Sequence, residues 1–127
     1  MSTSVHNATA QLRTTNLQES IDFYVNVLGF QLDFRYEDFY AGIKIGDSNL
    51  HLKLVDDPDP SIPAVREGGH LHLFIAVDGV DAEAERLARL GVKPFLGPYD
   101  TPWGSREFYI TDNQGHVLAY SQGTDES

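Results

Sequence analysis

The sequence predicts an α+β fold built from two tandem βαβββ modules, one over residues 8–55 and the other over residues 70–122. Each module opens with a short strand, a turn and an amphipathic helix, and each helix stops at a Leu-Gly pair, at Gly29 and at Gly91. Three short strand-like segments follow each helix. This weak internal repeat, offset by about half the chain, predicts two modules of the same βαβββ pattern.

The first module begins with a predicted strand over Ala8–Thr14 and a helix over Gln18–Leu28. Asn16 is the expected N-cap, and Glu19 follows three residues later as in a capping box. The buried stripe of this helix and the three following strands are predicted at Leu17, Ile21, Tyr24 and Leu28, and at Phe30–Tyr36, Phe39–Ile45 and Asn49–Val55.

The second module begins with a predicted strand over His70–Val77 and a helix over Val80–Leu90. Asp112 to Gly115 has the composition of a tight turn, and Tyr120 shares the inward face of Leu118. The helix stripe and the remaining strands are predicted at Val80, Ala84, Leu87 and Leu90, and at Lys93–Leu96, Arg106–Thr111 and His116–Ser121.

Two segments are predicted to be irregular because proline and glycine interrupt them. Residues 56–69 contain three prolines and a Gly-Gly pair, which argue against a helix or a central strand and favour a linker between the modules. Residues 97–104 contain two prolines and two glycines and are expected to form a loop that carries Trp103.

Composition excludes several classes of function. The net charge of −10 disfavours nucleic acid and anionic membranes as partners. The absence of cysteine excludes disulfides and thiolate metal sites and favours a reducing cytoplasm. No apolar run approaches the roughly 18 residues that a membrane span needs, and residues 1–10 do not resemble a signal peptide.

Two segments carry a resemblance to a known superfamily. Residues 16–30, NLQESIDFYVNVLGF, and residues 106–120, REFYITDNQGHVLAY, resemble the first helix and the closing hairpin of the glyoxalase, bleomycin-resistance and dioxygenase proteins, also called vicinal-oxygen-chelate proteins. The resemblance implies that the two modules form curved mixed sheets, and that these sheets form a cup that holds a ligand or a metal ion. It also implies a homodimer in which modules are often exchanged between subunits.

The resemblance also implies four metal-binding positions, which fall on strands at either end of each module. In this sequence they correspond to Thr9, to Lys53 or His51 depending on register, to His72 and to Ala119. A stable site needs about three protein ligands. We therefore expect neither a metal nor another cofactor.

Alternation along the strands places further side chains on the face expected to line the cup. His72 and Phe74 share one face of their strand, while His51 and Lys53 alternate with leucines. Arg13 lies on the same face as Thr9, and Arg13 and Lys53 are also compatible with solvated or dimer-interface charges. The predicted ligand-binding residues are His51, Tyr40, His72, Phe74, Trp103 and Tyr109, although His72 is also compatible with a hydrogen-bonded strand residue and Trp103 with structural packing.

Three functions are compatible with these residues. The first is a small-molecule-binding protein that sequesters an aromatic or cationic compound without metal. The second is a metal-dependent lyase, isomerase or dioxygenase of the glyoxalase type that uses His72. The third is a metal-free enzyme with His72 as general acid or base, which the sequence does not separate from the first. No nucleophile elbow or P-loop is present in the sequence.

Overall fold

A computed structural model describes residues 3–123, and its Cα positions separate into one unit up to Pro58 and a second unit from Asp59. Each unit contains a four-stranded mixed sheet with helices, which confirms the α+β prediction. Within residues 3–123, no helix is both long and apolar enough to cross a membrane. Residues 1 and 2 of the segment considered for a signal peptide lie outside the described range.

The sheet of the first unit has the strand order β1-β4-β3-β2. The first and last strands pair in parallel, and the other neighbours pair antiparallel. The elements are β1 (Ala10–Thr14), α1 (Leu17–Asp22), β2 (Gln31–Tyr36), β3 (Tyr40–Ile45) and β4 (Ser48–Leu54).

The helix of the first unit begins as predicted but changes its winding. The amide of Glu19 donates to the side-chain oxygen of Asn16 at 3.0 Å, so Asn16 is the N-cap. The predicted α-helix to Leu28 is wrong in its second half, because a π-helical turn over Phe23–Val27 replaces it and the Leu28 amide donates to the Phe23 carbonyl at 2.9 Å. All four predicted stripe residues are nevertheless buried.

The sheet of the second unit has the equivalent order β5-β8-β7-β6. Its first and last strands again pair in parallel, and its other neighbouring strands pair antiparallel. The elements are α2 (Ser61–Glu67), β5 (Leu73–Ala76), α3 (Val80–Arg89), β6 (Leu96–Asp100), β7 (Ser105–Thr111) and β8 (Val117–Gly123).

The buried stripe of α3 is one residue shorter than predicted. Val80, Ala84 and Leu87 are buried, but Leu90 is 53% exposed. Leu90 is the C-cap and leaves helical geometry, so its side chain no longer follows the helical period. Tyr120 is fully buried and stacks on Phe108 with ring centroids 4.8 Å apart, which agrees with the inward face predicted for it.

The predicted linker over residues 56–69 contains a helix, α2, which corrects the prediction. Pro60 is its N-cap and Pro63 lies in its first turn, where backbone amides have no intrahelical acceptor and proline costs little. The Asp59 side chain accepts a hydrogen bond from the Ser61 amide at 2.9 Å, so this amide of the first turn has an acceptor. Proline count alone therefore did not exclude a helix.

The segment over residues 97–104 is also more regular than predicted. Strand β6 continues to Asp100, whereas the sequence placed this strand at Lys93–Leu96. Pro98 follows a cis peptide bond, and the pairing of β6 with β7 shifts between Leu96 and Tyr99. Proline is tolerated there because β6 is an edge strand.

Candidate functional site

One side of the first sheet packs against α1, and the other side we call the first open face. Alternation assigns the faces: Leu12, Leu50 and Leu52 are buried towards the helix, while their strand neighbours point the opposite way. The first open face comprises Gln11, Arg13, Phe34, Tyr36, Tyr40, Gly42, Lys44, Asn49, His51 and Lys53, whose mutual alignment follows from the strand pairings.

Three aromatic rings form the centre of the first open face. The Tyr40 hydroxyl lies 2.9 Å from Nδ1 of His51 and accepts from the Gln11 amide nitrogen at 3.1 Å. Phe34 meets His51 edge to face at 5.3 Å between centroids and lies within 15° of parallel to Tyr40. Gly42 lies directly beneath Phe34, where any Cβ atom would overlap the ring. Tyr40 and His51 are both predicted from the sequence to bind the ligand, and the fold places their side chains in contact.

The corresponding side of the second sheet, which we call the second open face, includes Phe74, Glu107, Tyr109 and Ser121 by strand pairing and alternation. Its chemistry differs from that of the first open face. Glu107 on β7 is 4% exposed. Its carboxyl oxygens accept from the hydroxyls of Ser105 at 3.1 Å, Ser121 at 3.4 Å and Tyr109 at 3.5 Å. No cationic side chain among residues 3–123 lies within ion-pair distance of Glu107.

Glu107 was not among the residues predicted from the sequence. The signal was available, because a strand over Arg106–Thr111 was predicted and Glu107 shares the face of Tyr109 in a two-residue period. Burial, reinforced by Tyr99 and Glu107, raises the pKa of Tyr109 to about 12. The Tyr109 phenol therefore stays protonated at neutral pH and acts as a hydrogen-bond donor.

A cavity of about 180 Å³ opens beside Tyr109 in the second unit. The Arg66 guanidinium lies 3.9 Å from the ring centroid of Phe95, within the range of a cation–π contact. The ring of Phe95 is itself 6.1 Å from that of Tyr109. The cavity is lined by Arg66, Gly69, His70, Phe95, Leu96, Tyr99 and Tyr109.

His72, predicted as a ligand-binding residue, makes internal hydrogen bonds with both ring nitrogens. Nδ1 accepts from the Val117 amide at 3.0 Å, and Nε2 lies 3.1 Å from the Ser61 hydroxyl. Since Nδ1 is an acceptor, the neutral ring carries its proton on Nε2 and donates it to Ser61. Burial and the neighbouring His116 lower the pKa of His72, and its ring meets that of His116 edge to face at 4.9 Å.

Two other predicted residues are exposed. Phe74 on β5 is 55% exposed and lies on the second open face. Trp103 is 73% exposed in the turn between β6 and β7 and lies outside the cavity of the second unit. The structure therefore brings Tyr40 and His51 together and places Tyr109 at a cavity, while Phe74 and Trp103 remain on the surface.

Strand register resolves which residues occupy the four metal positions implied by the resemblance. Leu12 pairs with Leu52 and Ile75 pairs with Tyr120 in the parallel pairs of the two sheets, which makes His51 the counterpart of Ala119. Lys53 is then excluded from that position. The four positions are occupied by Thr9, His51, His72 and Ala119.

These four residues do not fit a metal centre. Ala119 has no donor atom, and both nitrogens of His72 are engaged within the protein. His51 uses one nitrogen to contact Tyr40. Over residues 3–123, no three or more His, Cys, Asp or Glu side chains form a group able to hold a metal ion.

The family model described as "Glyoxalase/Bleomycin resistance protein/Dioxygenase superfamily" matches residues 6–120. Among curated proteins, the chain is similar to "Putative glyoxylase CFP32" of Mycobacterium bovis and of Mycobacterium tuberculosis, with 27% identity over 112 residues. The match covers 86% of this chain and 41% of each relative, so the chain spans less than half the length of these proteins.

Solved structures show the same fold at lower identity. The structure described as a "putative glyoxalase family protein from Bacillus anthracis" has a TM-score of 0.77 with 16% identity, and the match covers 97% of this chain and 99% of that one. The bleomycin-binding protein of Streptomyces verticillus, solved with copper(II)-bleomycin, has a TM-score of 0.67 with 24% identity over 96% of this chain and 99% of its own. With the match over residues 6–120, these likenesses lead to one conclusion: the chain belongs to the glyoxalase/bleomycin resistance protein/dioxygenase superfamily.

Proposed function

We propose that this protein binds and sequesters a small aromatic compound, without metal, in the cavity of the second unit. The observation that carries the proposal is the aromatic wall of that cavity, formed by Phe95, Tyr99 and Tyr109. Aromatic side chains supply large apolar contacts, and a few polar groups orient the ligand. The Arg66 guanidinium stacked on Phe95 adds a flat polar surface at the cavity rim.

The burial of Glu107 supports the proposal that the ligand carries a cationic group. Its carboxyl group is buried and bonded to three hydroxyls. Hydroxyl donors compensate the loss of water only partly, and a buried carboxylate is usually paired with a cation. An ammonium group on the ligand would supply this partner, and the Tyr109 hydroxyl connects Glu107 to the cavity.

The alternative is a metal-dependent lyase, isomerase or dioxygenase that uses His72. The similarity to a mycobacterial protein named a glyoxylase favours it. The engaged nitrogens of His72 and the alanine at position 119 oppose it. The same two hydrogen bonds also oppose His72 as a general acid or base in a metal-free reaction.

The test is isothermal titration with naphthalen-2-ylmethylammonium, a small flat aromatic cation. We expect binding that persists after treatment of the protein with EDTA and that Tyr109→Ala abolishes. Tyr36→Ala is the matched control, since Tyr36 is an exposed tyrosine of the first unit. A stoichiometric metal in elemental analysis, lost in His72→Asn, would overturn the proposal in favour of the metalloenzyme.

The assembly and location proposed with this function are a homodimer in the cytoplasm. The dimer is supported by the resemblance to short chains of the superfamily, and the reducing compartment by the absence of cysteine. Light scattering tests the dimer, since a solution mass of one chain at micromolar concentration would contradict it.

A further inference from the structure

The first open face carries cations and no carboxylate at its strand-paired positions. Arg13 on β1 is the direct neighbour of Lys53 on β4, and Lys44 lies on the adjacent strand β3. Within residues 3–123, none of these three cations has an ion-pair partner. The face is therefore locally basic.

This local charge contrasts with the charge of the whole chain. Acidic residues outnumber lysine and arginine by 19 to 9, yet the strand-paired positions of this face carry only basic charge. Like charges on directly neighbouring strands repel each other and reduce stability. An anion bound between Arg13 and Lys53 would convert this repulsion into two attractive contacts.

The aromatic rings lie next to this pair of cations. Tyr40 pairs with Lys53, and Gly42 pairs with His51, so the cations border the ring cluster of Phe34, Tyr40 and His51. Gly42 leaves room for Phe34 to lie over the sheet. The rings of Tyr40 and His51 are T-shaped to each other, with planes 75° apart, so a flat ligand ring can stack on one and contact the other with its edge. A substituent on such a ring would be directed towards Arg13 and Lys53.

We propose that the first open face binds an aromatic carboxylate, with the carboxylate held by Arg13 and Lys53 and the ring against Tyr40 and His51. A guanidinium binds a carboxylate through two parallel hydrogen bonds, and the lysine ammonium adds a point charge. This site goes beyond the proposed function, which concerns the second unit and an aromatic or cationic ligand. The two proposals can fail separately.

The test is a ¹H–¹⁵N NMR titration of the full chain with 2-naphthoate and with the isosteric neutral probe 2-naphthamide. We expect 2-naphthoate to shift the amides of residues 10–14 and 48–54 and to bind about tenfold more tightly than 2-naphthamide, as charged hydrogen bonds give. Arg13→Gln and Lys53→Gln should each weaken 2-naphthoate about threefold, so that the two changes together remove its tenfold advantage, and both should leave 2-naphthamide unchanged. Lys93→Gln, an exposed lysine of the second unit, is the matched control.

Three outcomes would overturn the proposal. One is equal affinity for the two probes, and another is a 2-naphthoate response confined to residues 95–109, which would assign the anion to the second unit. The third is a change of solution mass in the Arg13 and Lys53 variants without loss of 2-naphthoate affinity, which would assign the cations to contacts between copies. If a variant fails to fold, the salt dependence of binding to the unmodified protein replaces it, because only the anion contact weakens with added NaCl.

Discussion

The two units share one strand topology but present different chemistry on their open faces. Register makes Tyr40 the counterpart of Glu107, and Lys53 the counterpart of Ser121. The first face therefore has cations beside a ring cluster, while the second has a buried carboxyl group among hydroxyls. Backbone pairing fixes where a side chain stands, and residue identity alone decides what that position can bind.

The largest expected effect comes from removing the charge that distinguishes the second face. Glu107→Gln keeps the shape and most hydrogen bonds of Glu107, but it cannot pair with an ammonium group. We expect affinity for naphthalen-2-ylmethylammonium to fall about tenfold, or about 1.4 kcal/mol, by isothermal titration. Affinity for neutral 2-naphthamide serves as the control, and an equal loss for both probes would show that Glu107 does not recognise charge.

The next comparison concerns the cores of the two sheets. Tyr120 in the second core is the counterpart of Leu52 in the first, and its buried hydroxyl has no hydrogen-bond partner among residues 3–123. An unpaired buried hydroxyl costs about 1–3 kcal/mol, so Tyr120→Phe should raise the free energy of unfolding by about 1 kcal/mol.

Urea denaturation measures this change. Tyr24→Phe is the matched control, because Tyr24 is a fully buried tyrosine of the first unit whose hydroxyl is not an unpaired buried group. A loss of stability in Tyr120→Phe would show that the Tyr120 hydroxyl has a partner after all, such as an ordered water molecule.

The two module helices differ in their N-caps. Asn16 caps α1 through its side chain, whereas Gly79 caps α3 without one. Asn16→Ala should cost about 1 kcal/mol, and Gly79→Asn should add a few tenths of a kcal/mol. Gly79 has extended backbone geometry, and a Cβ there would come no closer than 3.9 Å to Ala82.

Thermal unfolding of Asn16→Ala and Gly79→Asn tests the pair. The Val80 amide already donates to Gln122 at 2.8 Å, so most of the benefit at Gly79 must come from a later amide of the first turn. If Gly79→Asn raised stability by as much as Asn16→Ala lowered it, this account would be contradicted.

The smallest effect is a pH dependence that His72 of the second unit contributes to stability. Burial and His116 lower the pKa of His72 below its ordinary 6.5, while its counterpart Thr9 does not titrate. The unfolded chain therefore binds this proton at higher pH than the folded chain. The stability contributed by neutral His72 is complete above pH 6.5 and is lost as pH falls through the lowered pKa.

Urea denaturation between pH 7.5 and pH 5 measures the effect. His72→Asn keeps an acceptor for the Val117 amide and removes the titration, so this variant should lose less stability than the unmodified protein. Asp59, Asp112 and His116 surround the ring and are unchanged in the variant. Identical pH profiles would contradict the role assigned to His72.

Periodicity predicted the parts of the fold that depend on burial. The stripe of α1 and the inward leucines of β4 were identified because alternation and helical spacing follow directly from backbone geometry. The sequence does not predict helix α2, because the number of prolines argues against a helix, whereas the positions of Pro60 and Pro63 at the helix start are compatible with one.

The candidate site was less predictable because hydrogen-bond partners come from distant parts of the chain. His72 was predicted as a ligand-facing residue, but the Ser61 hydroxyl and the Val117 amide, both set by α2 and β8, occupy its nitrogens. Glu107 was accessible to an alternation argument, because it shares the face of Tyr109 on β7. Its burial, with no cationic partner in the described part of the chain, required three-dimensional information.

The hydrogen-bonded row of Gln11, Tyr40 and His51 has a further consequence for binding. Tyr40 is held on both sides of its hydroxyl before any ligand arrives. Ordering a free side chain on binding costs about 0.5–1.5 kcal/mol. The Tyr40 side chain is already ordered in the folded protein, so ligand binding does not include this cost. Gln11→Ala should therefore leave the contacts to a ligand intact and yet shorten its residence time, because the surface would no longer be preorganised.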